Sequence, residues 1–267
     1  MNYHQLVEAI KAKKNFLCVG LDSDFEKIPK HLLQFDDPIF EFNKRIIDAT
    51  KEHCVAYKPN TAFYESQGAK GWSSLQKTVD YIGSSHFIIA DAKRGDIGNT
   101  AEQYAKAFFE NMNCDAVTIS PYMGRDAVLP FLKFKEKFAI VLALTSNESA
   151  KDFQFFGDGK TTLFEKVIQQ SNHWGNEENI MFVVGATKPE YFKQIRAIAP
   201  HHFLLVPGVG TQGGSVADVC KFGLNKNVGL LINVSRQIIF ASSGIDFDKQ
   251  ANAAAKQFAA EMKNYVT

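Results

Sequence analysis

The sequence lacks several features that define whole classes of protein. Of its 267 residues only four are cysteine, and Cys18, Cys54, Cys114 and Cys220 lie too far apart for the paired spacing of a metal site. The longest apolar run, Phe138–Leu144, is far shorter than the roughly 20 residues that a membrane-spanning helix needs. The first residues also lack the basic and apolar stretches of a secretory signal. We therefore expect a cytoplasmic protein whose cysteines are reduced and buried.

An excess of charge of one sign is also missing. Lysine and arginine number 30 against 29 aspartates and glutamates, so the formal net charge is +1, whereas a nucleic-acid-binding protein usually carries a clear basic excess. Apolar residues make up 45% of the chain and charged residues 22%, which is typical of a globular protein with a large core. No linker rich in proline or serine divides the chain, so we predict one domain over residues 1–267.

Short apolar runs rich in β-forming residues recur along the chain. The eight runs cover residues 16–21, 54–57, 86–90, 116–119, 138–144, 180–184, 203–206 and 228–234. Longer segments with helical spacing separate them, among them residues 96–112 and 247–265. Continuously apolar runs indicate parallel strands covered on both faces, and eight of them alternating with helices predict a closed (β/α)8 TIM barrel. An open, doubly wound sheet is the alternative fold.

Chemically active side chains follow most of these runs. Asp22 follows the first run, and Lys58 and Asn60 follow the second. In a barrel the carboxyl ends of the strands converge on one mouth, where barrel enzymes hold their active sites. None of the seven histidines ends a run or forms a paired ligand spacing, so we predict no metal site.

Four charged residues of alternating sign are predicted to meet at this mouth. Asp91 and Lys93 are two residues apart in or just after the third run, and strand periodicity places both side chains on one side. Lys58 ends the preceding run, and Asp96 is a plausible N-cap of the next helix. The order Lys58, Asp91, Lys93, Asp96 keeps each charge paired. A salt-bridge network that closes the barrel top is the structural alternative.

A glycine-rich segment, residues 208–213, matches the pattern G-x-G-x-x-G after the seventh run. A dinucleotide fold needs an acidic residue about 20 positions later, but between Asp218 and Asp246 there is none. Barrel enzymes often bind phosphate with the loops after strands seven and eight. We therefore predict a phosphate site from Gln212 and Arg236, with a flexible loop and an unrelated arginine as the alternative.

At this point the sequence resembles a known family. Residues 91–100, D-A-K-R-G-D-I-G-N-T, resemble the D-x-K-x-x-D-I-x-x-T signature of the orotidine 5′-phosphate decarboxylases. The resemblance continues through residues 21–22, 57–60, 120–124, 207–214 and 235–236. Residues 58–65 and the chain length resemble the longer bacterial subfamily. In place of the Pro-Gly that the family often has after residue 147, this chain has Glu148 and Ser149.

The resemblance implies cofactor-free decarboxylation of orotidine 5′-monophosphate to UMP, the last step of de novo pyrimidine biosynthesis. It implies that Asp91 faces the departing carboxylate and that Lys93 stabilises and protonates the carbanion at C6. Lys58 would orient Asp91 and touch the ribose, and Asp22 would bind a ribose hydroxyl.

The resemblance also implies a homodimer with shared active sites, because Asp96, Ile97 and Thr100 would reach into the site of the partner subunit. Ser146 would contact the pyrimidine, while Gln212 and Arg236 would hold the phosphate. The substrate-binding positions that complete this prediction are Asn60 and Pro207.

Two other functions stay open at this point. Barrel enzymes such as 3-keto-hexulose-phosphate synthase and 3-keto-gulonate-phosphate decarboxylase share D-x-K-x-x-D but use a magnesium ion at the acidic positions. Lys58 and the continuation through Thr100 disfavour these magnesium-dependent enzymes. A non-catalytic nucleotide-binding barrel is the second alternative, although no charged group of the predicted site is missing.

Overall fold

The protein forms a closed barrel of eight parallel strands in the order β1 to β8. The computed structural model describes residues 1–210 and 213–266. The strands are Leu17–Leu21, Ala56–Pro59, Phe87–Arg94, Ala116–Ile119, Phe138–Leu144, Ile180–Val184, Leu204–Pro207 and Leu230–Val234. The predicted (β/α)8 barrel is therefore confirmed, and the open sheet is wrong because β1 pairs with both β2 and β8.

Helices separate the strands, as the alternating sequence pattern predicts. Within the described residues the α-helices, α1 to α11, are Tyr3–Lys13, Pro38–Thr50, Ala62–Glu65, Gly68–Ile82, Gly98–Lys106, Arg125–Leu132, Leu163–Ser171, Tyr191–Ile198, Val216–Gly223, Arg236–Ile239 and Phe247–Met262. The predicted helical segment 96–112 corresponds to α5 and a π-helical turn, Ala107–Asn111. The segment 247–265 corresponds to α11 and a final 3-10 turn.

The core explains why the strands read as continuously apolar. Every residue of β1, β4, β6 and β8 is buried, because each strand contacts the barrel interior on one face and the helices on the other. The four cysteines are free and buried in this core. In the described part of the chain, no helix is both long and apolar enough to span a membrane.

Strand β3 departs from the regular pattern where it reaches the mouth of the barrel. Its first five residues are buried, Ala92 and Arg94 are partly exposed, and Lys93 between them is exposed. Ala90 pairs with Val117, whereas Arg94 pairs with Ile119, so β3 uses two more residues than β4 over this stretch. This bulge lies at Asp91–Lys93, and it determines where the charged side chains point.

Candidate active site

A cavity of about 160 Å³ opens among the carboxyl ends of strands β1, β2, β3, β7 and β8. It lies where barrel enzymes hold their active sites. Its lining residues are Asp22, Lys58, Asn60, Asp91, Pro207, Val209, Asn233, Val234, Ser235, Arg236 and Gln237. The structure therefore brings together six of the predicted site residues, from both ends of the chain.

Asp91 lies at the centre of a chain of alternating charges. Its Oδ2 accepts a hydrogen bond from Lys58 Nζ at 2.7 Å, and its Oδ1 accepts one from Lys93 Nζ at 2.6 Å. Lys58 Nζ also lies 3.8 Å from Asp22 Oδ1. Lys58 is only 4% exposed, whereas half of the Lys93 side chain is accessible. Lys58 is therefore the buried partner of Asp91 and lines the cavity, whereas Lys93 is its accessible partner and lies outside the lining.

The electrostatic interactions at this site favour the charged forms of Asp91 and Lys58. Burial of Asp91 opposes its ionisation, but the ammonium groups of Lys58 and Lys93 outweigh this effect and hold its pKa well below the usual range. Burial of Lys58 likewise opposes its charge, yet the carboxylates of Asp91 and Asp22 raise its pKa above the ordinary value. The buried pair therefore stays ionised at neutral pH, with each charge compensated by its neighbour.

Thr118 is a member of the site that sequence analysis missed. Its hydroxyl donates to Asp91 Oδ1 at 2.9 Å and accepts from the backbone N–H of Lys93 at 3.0 Å. Lys93 itself has a φ of 47°, in the left-handed region that non-glycine residues seldom adopt. The expected reason for the Asp91–Lys93 approach was strand periodicity, but the bulge and this left-handed residue produce it instead.

Three buried oxygen atoms near the cavity have no hydrogen-bond partner among the described residues. They are Asp22 Oδ1, Asn233 Oδ1 and Ser235 Oγ. Gly20 on β1 makes space for two of them, because a β-carbon there would lie 2.7 Å from Ser235 Cβ and 3.1 Å from Asn233 Oδ1. Buried polar atoms without partners are uncommon, so this group is suited to a ligand that supplies hydroxyl donors.

The predicted phosphate-binding residues are only partly described. Arg236 follows β8 and lines the cavity together with Pro207, the last residue of β7. Gln212 lies outside the described residues. On either side of the gap, Gly210 N–H donates to Gly214 O at 2.8 Å, which folds the loop tightly back on itself. Glycine is required at position 210, where φ is 82° and a β-carbon would collide with the Gln237 side chain.

Asp96, Ile97 and Thr100 lie away from this cavity, at the start of α5. The prediction that Asp96 caps the helix is wrong, because Ile97 is the N-cap and the Asp96 carboxylate accepts from the Ile97 N–H at 2.8 Å. Across residues 1–210 and 213–266, Asp96 forms no ion pair, so it does not extend the row of alternating charges formed by Lys58, Asp91 and Lys93.

Ser146 and Asn60 occupy the ends of their strands. Ser146 follows β5, and Gly185 packs so closely on it that a β-carbon there would lie 2.7 Å from the Ser146 backbone. Asn60 follows β2 and forms a parallel bridge with Asp91, while its side chain accepts from the Ala62 N–H at 3.2 Å. Asn60 therefore helps to fix Asp91 through the backbone.

Comparison with known proteins shows the family to which the chain belongs. The sequence profile described as "Orotidine 5'-phosphate decarboxylase / HUMPS family" matches residues 15–246. The chain belongs to this family. An orotidine 5′-phosphate decarboxylase of Flavobacterium johnsoniae is 57% identical over 269 residues, which cover 100% of this chain and 98% of the relative. A protein of the same name from Christiangramia forsetii is 56% identical over 98% of this chain and 97% of its own length.

Solved structures of the family share the barrel. Leishmania donovani OMP decarboxylase superposes with a TM-score of 0.86 at 36% sequence identity, covering 99% of both chains. Leishmania donovani UMP synthase gives a TM-score of 0.87 at 38% identity, covering 98% of this chain but 56% of that longer one. Membership of the family therefore extends over nearly the whole chain and includes every strand that contributes to the cavity.

Proposed function

We propose that this protein decarboxylates orotidine 5′-monophosphate to UMP without a cofactor, as the last step of de novo pyrimidine biosynthesis. The observation that carries the proposal is the chain Lys58–Asp91–Lys93 at the mouth of the barrel, with Lys93 half exposed beside a carboxylate that stays ionised. The relatives at 57% and 56% identity, both named orotidine 5′-phosphate decarboxylase, support the same reaction.

In the proposed mechanism Asp91 acts on the substrate carboxylate before CO2 is lost, and Lys93 acts on the carbanion that remains at C6. The substrate carboxylate is placed near the Asp91 carboxylate, so its negative charge is disfavoured in the ground state and its loss as CO2 relieves the repulsion. The electron pair left at C6 forms beside the Lys93 ammonium, which stabilises charge that exists only in the transition state. Lys93 then donates a proton to C6, and UMP results.

The rest of the nucleotide is bound around this centre. Asp22 and Lys58 hold the ribose, which supplies hydroxyl donors for the oxygen atoms that have no protein partner. Arg236 and Gln212 bind the phosphate at the far end, where the guanidinium fork matches phosphate geometry. Asn60, Pro207 and Ser146 complete the binding surface, with Ser146 against the pyrimidine. Binding energy from the distant phosphate offsets the repulsion between the two carboxylates.

We also propose a homodimer in which Asp96, Ile97 and Thr100 complete the site of the partner subunit. Ile97 is 52% exposed and Tyr122, in the loop after β4, is 85% exposed. Large exposed apolar side chains are typical of a surface that another chain covers. The four buried thiols suit a reducing compartment, which agrees with the predicted cytoplasmic location.

A magnesium-dependent sugar-phosphate lyase or decarboxylase is the second candidate, since the family description also names HUMPS. A metal at the acidic positions would need free carboxylate oxygens. Both oxygens of Asp91 accept hydrogen bonds from ammonium groups instead, and the described residues contain no cluster of three acidic, histidine or cysteine side chains suited to a metal. This donor set favours the metal-free reaction.

An assay with purified protein tests the proposal. We expect rapid loss of orotidine 5′-monophosphate, followed by absorbance, in the presence of EDTA and without added cofactor. Lys93→Ala should reduce turnover by at least about 10³-fold, because it removes both the proton donor and the charge that stabilises the carbanion. Lys11→Ala is the matched control, since Lys11 is an exposed lysine on α1 that pairs only with Glu8.

Two results would contradict the proposal. One is turnover of Lys93→Ala close to that of the wild-type protein, which would exclude Lys93 as the proton donor. The other is no conversion by a folded wild-type protein with EDTA, together with turnover of a ketose phosphate when magnesium is added. That result would identify the second candidate.

A further inference from the structure

The hydroxyl of Thr118 connects the two reactive residues through a single buried atom. Thr118 lies in the middle of β4 and is 1% exposed. Its Oγ1 accepts from the Lys93 N–H at 3.0 Å and donates to Asp91 Oδ1 at 2.9 Å. A serine or threonine hydroxyl can make both bonds at once, because it has one donor and two acceptor lone pairs.

These two hydrogen bonds occur where the regular pairing of β3 with β4 is interrupted. The register shifts between Ala90 and Arg94, so the Lys93 N–H has a side-chain acceptor instead of a strand carbonyl. A buried N–H without an acceptor is unfavourable, and a left-handed lysine is unfavourable as well. The Thr118 hydroxyl supplies the acceptor for this N–H and so favours the backbone geometry in which Lys93 is left-handed.

The position of the Lys93 ammonium depends on this conformation. The bulge interrupts the regular alternation of side chains at Asp91–Lys93, and with Lys93 in the left-handed region its Nζ lies 2.6 Å from Asp91 Oδ1. Thr118 also holds the same Asp91 oxygen that Lys93 contacts. One hydroxyl therefore contacts both the backbone of Lys93 and the carboxylate of Asp91.

We propose that Thr118 is a positioning residue, whose hydroxyl holds Lys93 in its left-handed conformation and aligns it with Asp91. This inference rests on the proposed function, in which Lys93 protonates the substrate. Thr118 is 1% exposed and its hydroxyl is engaged by the Lys93 N–H and the Asp91 carboxylate, so it is not expected to touch the substrate. Its loss should therefore affect the chemical step much more than the binding of nucleotide.

The test compares Thr118→Val, which has nearly the same shape without the hydroxyl, with Thr118→Ser, which keeps it. We expect Thr118→Val to lower kcat by about 10- to 100-fold, because a small misplacement of a reacting group has an effect of this size. KM and the Kd of UMP should change by less than about threefold. Thr118→Ser should restore kcat to within about threefold of the wild-type value.

The matched control is Thr50→Val. Thr50 is fully buried and its hydroxyl also makes two hydrogen bonds, to Ile46 O and Tyr57 Oη, but it lies on α2, away from the cavity. Thr50→Val should lower Tm and leave kcat unchanged. A loss of kcat in Thr50→Val as large as in Thr118→Val would overturn the proposal, because general destabilisation would then account for it.

Crystal structures of the variants provide a readout that does not require activity. In Thr118→Val, Lys93 should leave the left-handed region or separate from Asp91, and in Thr118→Ser it should not. An unchanged Lys93 in Thr118→Val, or a Thr118→Ser variant as slow as Thr118→Val, would contradict the role of the hydroxyl. If the wild-type protein does not decarboxylate its substrate, the proposed function fails, and the structures still show whether Thr118 holds Lys93.

Discussion

Cationic side chains at the two ends of the barrel have different kinds of hydrogen-bond partner. At the mouth, where the strands end, the ammonium groups of Lys58 and Lys93 are paired with a carboxylate, and three oxygen atoms have no described partner. At the floor, where the strands begin, two partly buried cationic side chains, Lys13 and Arg196, are held by backbone carbonyls. Lys13 donates to Lys51 O at 2.6 Å and to Cys54 O at 2.9 Å.

Arg196 on α8 is the clearest example at the floor. Its guanidinium donates to the carbonyl oxygens of Gly223, Ala199, His202 and Gly229, at 2.6 to 3.1 Å. No carboxylate in the described residues pairs with it. It therefore joins the loops that precede β7 and β8, and its hydrogen bonds are complete without any ligand.

The groups at the floor therefore serve the stability of the fold, and the groups at the mouth serve its function. Lys13 and Arg196 at the floor have hydrogen-bond acceptors inside the protein, so they contribute to the free energy of unfolding and have little capacity to bind a substrate. Groups at the mouth include a left-handed lysine and unpartnered oxygen atoms, which are unfavourable until a ligand is bound. Substitutions at the two ends should therefore change different measured quantities.

The largest expected effect on stability is at Arg196. Arg196→Met removes four charge-assisted hydrogen bonds and leaves buried carbonyl groups without donors, so we expect the free energy of unfolding to fall by about 3 kcal/mol. The variant should retain the kcat and KM of the wild-type protein. Urea unfolding and steady-state kinetics measure the two quantities, and Lys193→Met, an exposed position on the same helix, is the control.

A smaller effect should appear on acidification. His202 is buried against the Phe182 ring, and burial lowers its pKa from 6.5 to about 4. The unfolded chain therefore takes up a proton at this residue below pH 6.5 while the folded chain does not, and stability falls as the pH decreases toward 4. This one residue should account for about 2 kcal/mol of lost stability at pH 5.

Replacing His202 by phenylalanine should remove that part of the pH dependence. Urea unfolding at pH 7.5 and pH 5 would show it as a smaller difference between the two pH values than in the wild-type protein. His201→Gln, at the exposed neighbouring position, should leave the difference unchanged. An identical pH dependence in His202→Phe and in the wild-type protein would exclude His202 as the cause.

The smallest expected effect is at the mouth, and it concerns binding more than stability. In Gly20→Ala the new β-carbon would lie 2.7 Å from Ser235 Cβ, so β8 must shift and the cavity must narrow. We expect KM to rise by about five- to tenfold, equivalent to about 1 kcal/mol. A KM that Gly20→Ala leaves unchanged would show that the cavity tolerates the extra group.

Sequence patterns predicted the barrel well because its strands are apolar on both faces. The predicted limits of β4, β5 and β6 agree with the structure. Strand β3 was predicted to end at residue 90, but it continues to Arg94. The apolar pattern stops there because the last residues of β3 belong to the site, where charge replaces hydrophobicity although the backbone still pairs with β4.

The same patterns could not predict how the site is held together. Nothing in the residues around Lys93 indicates a left-handed conformation, since it depends on a hydrogen bond to a neighbouring strand. Thr118 and Asn233 were read as parts of apolar strands. A polar side chain inside an otherwise apolar run was the available signal, because such a residue needs a partner in the barrel interior. The N-cap prediction for Asp96 failed because Ile97 remains extended and the helix begins one residue later than expected.

The contacts of Lys58, Lys93 and Thr118 with Asp91 also determine when these groups are desolvated and oriented. These groups are removed from water and fixed in direction when β2, β3 and β4 come together, so the free-energy cost of both changes arises during folding. It arises once in the lifetime of the molecule and is not repeated at each turnover. A substrate that enters the mouth therefore meets charges that are already oriented, and little reorganisation has to accompany the loss of CO2.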